Sequence, residues 1–424
     1  MHSFTLFFIF AIALGLTLQL WLMQRQRRHV AAHRNQVPPA FADKVTLEEH
    51  QKAADYTRAK LSVGHISLWI GTGLLLLWTL GGGIDLLNLQ WQTWEIDPVW
   101  RGIGLIFSVS LISAIVELPL GLWNTFVLEA RFGFNRTTAK RFVIDLLLQL
   151  LLALLLGTPL LWIILWLMER AGDNWWLAAW AVWMSFMLLM IWLYPTVIAP
   201  LFNKFTPLDE GPLKQRIQGL LERCGFTSKG IFIMDGSKRS GHGNAYFTGF
   251  GKNKRIVFYD TLAESLDGDE MEAVLAHELG HFKRRHILKH LLLSTALSLV
   301  GFALLGWLAA QPWFYQALGV SGRSNALALL LFMLALPVFT QFLQPVMAIL
   351  SRRHEFEADD FAVEQAGAEP MIRALVKLYR ENANTLTPDS LYSAFHDSHP
   401  PAPVRVAHLS SKISSVSTEN EATV

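Results

Sequence analysis

Seven apolar runs, each near 20 residues, constrain this chain's fold more than anything else in it. They lie at 3–23, 62–85, 102–123, 143–167, 175–200, 287–310 and 324–350. Roughly 20 apolar residues in a helix cover the hydrocarbon core of a bilayer. Inside that core the backbone finds no water, so each run must be helical. Composition agrees: 52% of the residues are hydrophobic and only 17% charged, against roughly 25% charged in soluble domains. The chain therefore reads as a mainly α, polytopic membrane protein. No basic residue precedes the first run and no small-residue cleavage site follows it, so it reads as a retained helix. A net charge of +2 gives no sign of a nucleic-acid partner. The single cysteine, Cys224, excludes an internal disulfide and a cysteine-rich metal site. It reads as a small core residue.

Basic residues set the orientation. Arg25, Arg27, Arg28, Arg34, Lys44, Lys52, Arg58 and Lys60 follow the first run, and Arg131, Arg136, Lys140 and Arg141 follow the third. The alternate connections are poor in Lys and Arg, and Trp91, Trp94, Trp100, Trp175 and Trp176 flank them. This asymmetry puts the N-terminus outside and the ends of the odd-numbered spans in the cytoplasm. The chain then divides into 1–200 (spans one to five), 201–286, 287–350 (spans six and seven), 351–410 and a Ser/Thr-rich disordered tail, 411–424. The stretches 201–286 and 351–410 are expected to fold together as one cytoplasmic α+β domain. It holds a helix near 212–224 and short strands at Gly230–Met234 and Arg255–Tyr259. Gly249, Gly251, Lys252 and Asn253 supply turn chemistry between the strands.

The chemistry starts at Val274-Leu275-Ala276-His277-Glu278-Leu279-Gly280-His281-Phe282. On a helix, residues four apart share one face, so both imidazoles can reach one metal ion while Glu278 reaches a metal-bound water. Asp267 and Glu270 resemble a capping box, and Met271, Val274 and Leu275 make an apolar face. Catalytic zinc needs a third protein ligand. Glu355 in Ser351-Arg352-Arg353-His354-Glu355-Phe356-Glu357-Ala358-Asp359-Asp360 completes a two-His, one-Glu set. Asp359, one turn on, is placed to accept from the free N–H of a ligand histidine. Glu357 and Asp360 read as an exposed acidic helix face, and the side chain of His354 points away from Glu355.

Two further segments admit two readings each. His399 in Ser398-His399-Pro400-Pro401 is held extended by the proline that follows. It can hydrogen-bond an oxyanion, or be a plain loop histidine. Arg405 can help hold this loop. Asn244-Ala245-Tyr246-Phe247-Thr248-Gly249 can be an edge strand that pairs with an extended substrate backbone, or an ordinary hairpin. Glu117, Asn124 and Asp145 lie in or near spans, where polar groups face protein or water rather than lipid.

In their order these elements resemble the type-1 CAAX prenyl protease family of integral-membrane zinc metalloproteases. Ser237-Lys238-Arg239-Ser240, Asn244-Ala245-Tyr246-Phe247, Lys252-Asn253-Lys254-Arg255-Ile256-Val257 and Ser398-His399-Pro400-Pro401 carry the likeness, which extends over the whole chain. The resemblance implies seven helices around a water-filled chamber, with a zincin-like protease site facing into it. It implies one Zn2+ per chain, a catalytic role for His399 and substrate-backbone binding by the segment at Asn244; Ala245 and Arg405 are read as further substrate-binding residues. The implied substrate is a peptide or a prenylated protein, cleaved near its C-terminus by a monomer. The implied home is a bacterial inner membrane or the endoplasmic reticulum membrane. The expected reaction has Glu278 take a proton from zinc-bound water, whose pKa falls toward about 7, and return it to the leaving amine. Two rivals remain: a quality-control membrane protease of the heat-shock HtpX type, with fewer spans, and a silent scaffold or transporter that keeps a residual metal site.

Overall fold

All seven apolar runs are helical in the computed structural model, which describes residues 2–228, 230–248 and 255–421. In chain order the first helices are α1 (Ser3–Ala32), α2 (Leu47–Trp78), α3 (Gly83–Gln92), α4 (Pro98–Trp123), α5 (Ala139–Arg170), α6 (Trp175–Leu193), α7 (Ala199–Phe202) and α8 (Pro212–Arg223). Then come α9 (Asp260–Ser265), α10 (Gly268–Lys283), α11 (His286–Ala309), α12 (Pro312–Ala317), α13 (Asn325–Thr340), α14 (Gln344–Ala366), α15 (Ala368–Glu381), α16 (Ser390–His396) and α17 (Ala402–Glu421). The strands are β1 (Phe205–Pro207), β2 (Gly230–Met234), β3 (Ala245–Thr248) and β4 (Arg255–Tyr259). The turn expected at Gly249, Gly251, Lys252 and Asn253 lies outside the described residues.

The membrane helices pack in the order α1, α2, α4, α5, α6, α11, α13 and back to α1, which closes a ring. Tryptophan N–H groups, which would otherwise lack partners in an apolar setting, tie neighbouring spans. Trp78 donates to Ser113 of α4 at 2.8 Å, and Trp180 of α6 donates to Ser298 of α11 at 3.1 Å. In the first six spans only 6–22% of the most apolar window is buried, against 44% in the seventh. Six helices therefore meet along narrow seams and leave faces open on either side, as the walls of a chamber do. The ring tightens at one end, where α13 crosses to α4: a Cβ on Gly102 would stand 2.5 Å from the Cβ of Ala326.

At the other end sits a four-stranded sheet in the order β1-β2-β4-β3, with β2 and β4 parallel and the rest antiparallel. Its core joins Ile231, Ile256 and Phe258 to Met271 and Leu275 of α10, Phe361 of α14, Leu375 of α15 and Leu409 of α17. The two polar stretches thus share one core. Phe41 and Val45, in the loop between the first two spans, enter the same core. Two isolated apolar residues in a polar loop carry no periodicity, so nothing in the sequence announced them. The expected boundary at 411 is not a helix end, because α17 runs through it to Glu421. Buried Ala402, Arg405, Val406 and Leu409 anchor its first turns, and extending a helix is easier than starting one.

Of the polar residues noted in the spans, Asp145 holds Arg239, at the edge of the sheet, through two hydrogen bonds of 2.7 and 2.8 Å. Asn124 opens a π-helical turn, Asn124–Glu129, that ends the third span, and Glu117 is exposed. The seventh span does not stop at the membrane boundary. After a single 3-10 turn at Gln341–Leu343, α13 continues as α14 into the sheet-bearing half.

Gly319 has φ +80°, and a Cβ there would lie 2.6 Å from the Thr79 carbonyl oxygen. Gly172 has φ +65° with nothing within 4 Å. Alanine at Gly172 should cost only left-handed strain, roughly 1–2 kcal/mol. Alanine at Gly319 adds a backbone clash between the α12–α13 loop and the end of α2. Melting curves in detergent should show the larger loss for Gly319→Ala, and equal losses would contradict this packing.

Candidate active site

Helix α10 begins at a complete capping box. Asp267 accepts from the Asp269 and Glu270 N–H groups at 2.9 Å each, and Glu270 accepts from the Asp267 N–H at 2.9 Å. Glu270 is buried and also takes Lys377 of α15 at 2.6 Å, which fixes the start of α10. Two turns on, His277 and His281 project together, with their Nε2 atoms 3.3 Å apart. Glu355 on α14 meets both: Oε2 is 3.5 Å from His277 Nε2 and Oε1 is 3.3 Å from His281 Nε2. Ligands at ~2.0–2.1 Å in a tetrahedron stand about 3.3 Å from one another, so these separations suit a zinc-sized ion. Glu355 Oε2 is also buried without a hydrogen-bond partner, which a metal bond would supply. No other group of this kind occurs among the described residues.

Two helices must approach closely for this to happen. A Cβ on Gly280 would lie 2.9 Å from the Ala358 Cα and 3.1 Å from its carbonyl oxygen. The glycine inside the His-Glu-x-x-His run therefore lets α14 lie directly against α10. Beside it, Asp359 Oδ1 is 2.9 Å from His277 Nδ1, and Arg405 grips Asp359 at 2.5 and 2.9 Å. Burial would lower the His277 pKa, but Asp359 and Glu355 outweigh it and raise it to about 9. A metal ion must displace that proton, so binding should weaken as pH falls below 9.

Glu278 is half-buried and makes no hydrogen bond to the described residues. The ring of His399 stands over the site from the far side, with Nε2 3.4 Å from Glu355 Oε1 and Nδ1 2.9 Å from Ser398 Oγ. Its side chain is 61% exposed. Even so, the surrounding cleft displaces enough bulk water to lower its pKa, against the pull of Glu355. A neutral ring that accepts from Ser398 carries its proton on Nε2, facing the site. Arg352, on the same helix as Glu355, donates to the carbonyls of Ala394 and Asp397 at 3.2 and 2.9 Å, and so holds this loop.

β3 is an edge strand, and no other strand pairs with its outer side among the described residues. Asn244 is exposed just before it. Its Oδ1 accepts from the Ala245 N–H at 2.8 Å, and its carbonyl accepts from Tyr259 at 2.9 Å. Arg405 sits elsewhere, buried against Asp359 and 3.7 Å from Glu355 Oε2. It braces carboxylates.

The sequence reading of Glu357 and Asp360 as a merely exposed face needs correction. Glu357 Oε2 meets His286 Nε2 at 2.9 Å, and Asp360 meets His408 Nε2 at 2.7 Å. His286 in turn touches His281, with their Nδ1 atoms 3.0 Å apart. His354 stacks on His286 with ring centroids 4.0 Å apart, outside the triad. Nothing local in the sequence marks His286, which opens an apolar run and reads as the polar flank of a span. Arg352 likewise reads as a cytoplasmic flank. The thiol of Cys224 is half-buried, donates to Gln365 at 3.6 Å, and has its pKa raised by burial, as befits a packing residue.

Comparison with known proteins gives consistent matches over both halves. Residues 26–204 match the family model described as CAAX prenyl protease N-terminal, five membrane helices, and residues 207–413 match that of peptidase family M48. The chain is 34% identical over 399 residues to the CAAX prenyl protease 1 homolog of Dictyostelium discoideum, covering 91% of this chain and 92% of that one. Against CAAX prenyl protease 1 of Saccharomyces cerevisiae it is 32% identical over 413 residues, 90% of each chain. Against the human homolog it is 32% identical over 450 residues, 93% of each. The crystal structure of S. mikatae Ste24p superposes with a TM-score of 0.88 at 31% identity, covering 96% of this chain and 99% of that one.

Gly280→Ala should force α10 and α14 apart and move Glu355 away from both histidines. Metal analysis of the purified protein should find the site largely empty and the melting temperature lowered. Gly301→Ala, where a Cβ meets nothing within 4 Å, should change neither. A Gly280→Ala protein with full metal would show that the two helices can part without disturbing the triad.

Proposed function

The chain belongs to the CAAX prenyl protease family of M48 peptidases, multi-pass membrane metallopeptidases, and from that premise we propose that His277, His281 and Glu355 hold one zinc ion. The observation that carries this is the convergence of the two Nε2 atoms and the Glu355 carboxylate at 3.3–3.5 Å from one another, with Glu355 Oε2 buried and without a hydrogen-bond partner. When bound, zinc supplies a Lewis acid that acidifies water and polarises a carbonyl. Asp359 accepts a hydrogen bond from the Nδ1–H of His277, which keeps the proton on Nδ1 and leaves the Nε2 lone pair for the metal. Glu278, adjacent on the helix and without a hydrogen bond among the described residues, takes a proton from the attacking water and delivers it to the leaving amine. His399 donates its Nε2–H to the carbonyl oxygen as negative charge builds there.

The free edge of β3, with Asn244 and Ala245, receives the substrate backbone as an added strand. The relatives are named for CAAX prenyl proteins, and we propose the same class here: a peptide bond near the C-terminus of a prenylated substrate. The stretches 201–286 and 351–410 act as one catalytic unit.

Glu278→Gln should bind metal normally and lose hydrolysis by at least 10²–10⁴-fold. Mass spectrometry of products from a prenylated peptide and its unprenylated twin would report both turnover and substrate class. Normal turnover by Glu278→Gln would remove Glu278 as the base. Equal cleavage of the two peptides would remove the prenyl requirement.

We place this catalytic end in the cytoplasm. Basic residues near one end of α1 and at the start of α5 meet the sheet-bearing half: Arg25, in the last turns of α1, pairs with Asp389 at 2.8 Å, and Arg141, in the first turn of α5, donates to the Lys238 carbonyl at 2.7 Å. Such clusters favour the cytoplasmic face. Reporter fusions after Arg34 and Lys140 should read cytoplasmic, and those near Gln90, Asp173 and Gly319 external. The reverse pattern would invert the assignment.

A further inference from the structure

His281 has no carboxylate on its Nδ1 of the kind that Asp359 gives His277. Its Nδ1 lies 3.0 Å from the Nδ1 of His286. Two ring nitrogens can share a hydrogen bond only if one carries a proton and the other does not. His286 Nε2 lies 2.9 Å from Glu357 Oε2, and a carboxylate only accepts, so the His286 proton sits on Nε2. A neutral imidazole has one such proton, which leaves His286 Nδ1 as an acceptor. His281 must then donate from Nδ1, and its Nε2 lone pair points at the triad. The opposite assignment would put a proton on His281 Nε2 and exclude a metal.

We infer that His286 is a positioning residue that sets the tautomer of His281 through a two-step relay ending on Glu357. This rests on the zinc centre proposed above. The local chain is built to hold His286 there. Arg285, immediately before it, has φ 57°, a left-handed conformation that a non-glycine residue adopts only at a cost in strain. That turn folds the start of α11 back over the end of α10. His286 is buried at 3% exposure and is pinned from its other face by the stacked ring of His354. Glu357, at 45% side-chain exposure, also meets Lys289 at 3.7 Å, so the relay ends at the protein surface. The two metal-facing imidazoles are therefore backed unequally. A buried carboxylate backs His277, and a neutral imidazole, a weaker acceptor, backs His281.

The test measures zinc affinity by chelator competition on the full-length protein in detergent, beside the melting temperature of the metal-free form. His286→Phe keeps a ring to stack on His354 but offers no acceptor. It should bind zinc about 10–100-fold more weakly. His286→Asn puts an amide oxygen near the Nδ1 position and should restore most of the affinity. The cobalt(II)-substituted protein should show an altered visible spectrum in His286→Phe and a near-normal one in His286→Asn. Unchanged affinity in His286→Phe would overturn the relay, as would His286→Asn binding as weakly as His286→Phe. Should His286→Phe fail to fold, Glu357→Leu takes its place, with weaker zinc binding expected and unchanged binding overturning the inference. His281→Ala is the control for the underlying reading. If it keeps zinc, the metal centre itself is wrong, whatever the His286 variants do.

Discussion

The contact between Gly280 and Ala358 is the constraint on which the rest of the site depends. One helix carries both histidines and another carries the carboxylates, and donor atoms about 3.3 Å apart leave no room for a side chain between the two backbones. Glycine at that position removes the obstacle. The other contacts of the site follow from it. Asp359 and Arg405 can back His277 only because α14 already lies against α10, and Glu357 can reach His286 for the same reason.

Much of this was legible in the sequence because periodicity or spacing encoded it. The seven apolar runs coincide with the seven membrane helices, and the strands Gly230–Met234 and Arg255–Tyr259 occur at the expected residues. The capping box at Asp267 is complete, and His277, His281, Glu355 and Asp359 converge. What stayed hidden depends on contacts between distant segments. Nothing local distinguishes Glu357, which holds His286, from any exposed acid on a helix. His286 looked like the start of a span. Phe41 and Val45 belong to the catalytic core although they follow the first membrane helix. Arg405 was placed near the substrate, yet its guanidinium is spent on Asp359. Its spacing from His399 suggested a shared loop, but only the fold could say which carboxylate it would meet.

Stability is distributed unevenly. The first six spans bury little of their apolar windows against protein, which leaves their outer faces for lipid and their inner faces for the interior of the ring. They need only narrow seams and a few Trp–Ser hydrogen bonds to stay in register. The catalytic half has no lipid to lean on and depends on a shared core and on paired charges such as Glu270 with Lys377. The two halves are joined by polar ties at the membrane boundary, among them Arg25–Asp389 and Arg239–Asp145. Both ties bond the two guanidinium nitrogens to the two carboxylate oxygens, an arrangement that fixes orientation as well as distance.

The continuity of α13 into α14 carries a mechanical consequence. Fifteen residues separate Thr340, at the end of the span, from Glu355, which is about 22 Å at ~1.5 Å per residue. Over that length a tilt of one degree displaces the carboxylate by about 0.4 Å. A metal site tolerates deviations of only about 0.2 Å in its bonds. A lever this long would degrade the site with every small motion of the seventh span unless α14 were held close to Glu355. It is held there from three directions. Gly280 receives Ala358 on one side, Arg405 ties Asp359 to α17, and Arg352 ties the helix to the loop that carries His399. The 3-10 turn at Gln341–Leu343 lies outside that clamp, between the ring and the site. A protease whose wall is a loosely seamed ring of helices therefore keeps its metal geometry by clamping the one helix that the wall and the site have in common.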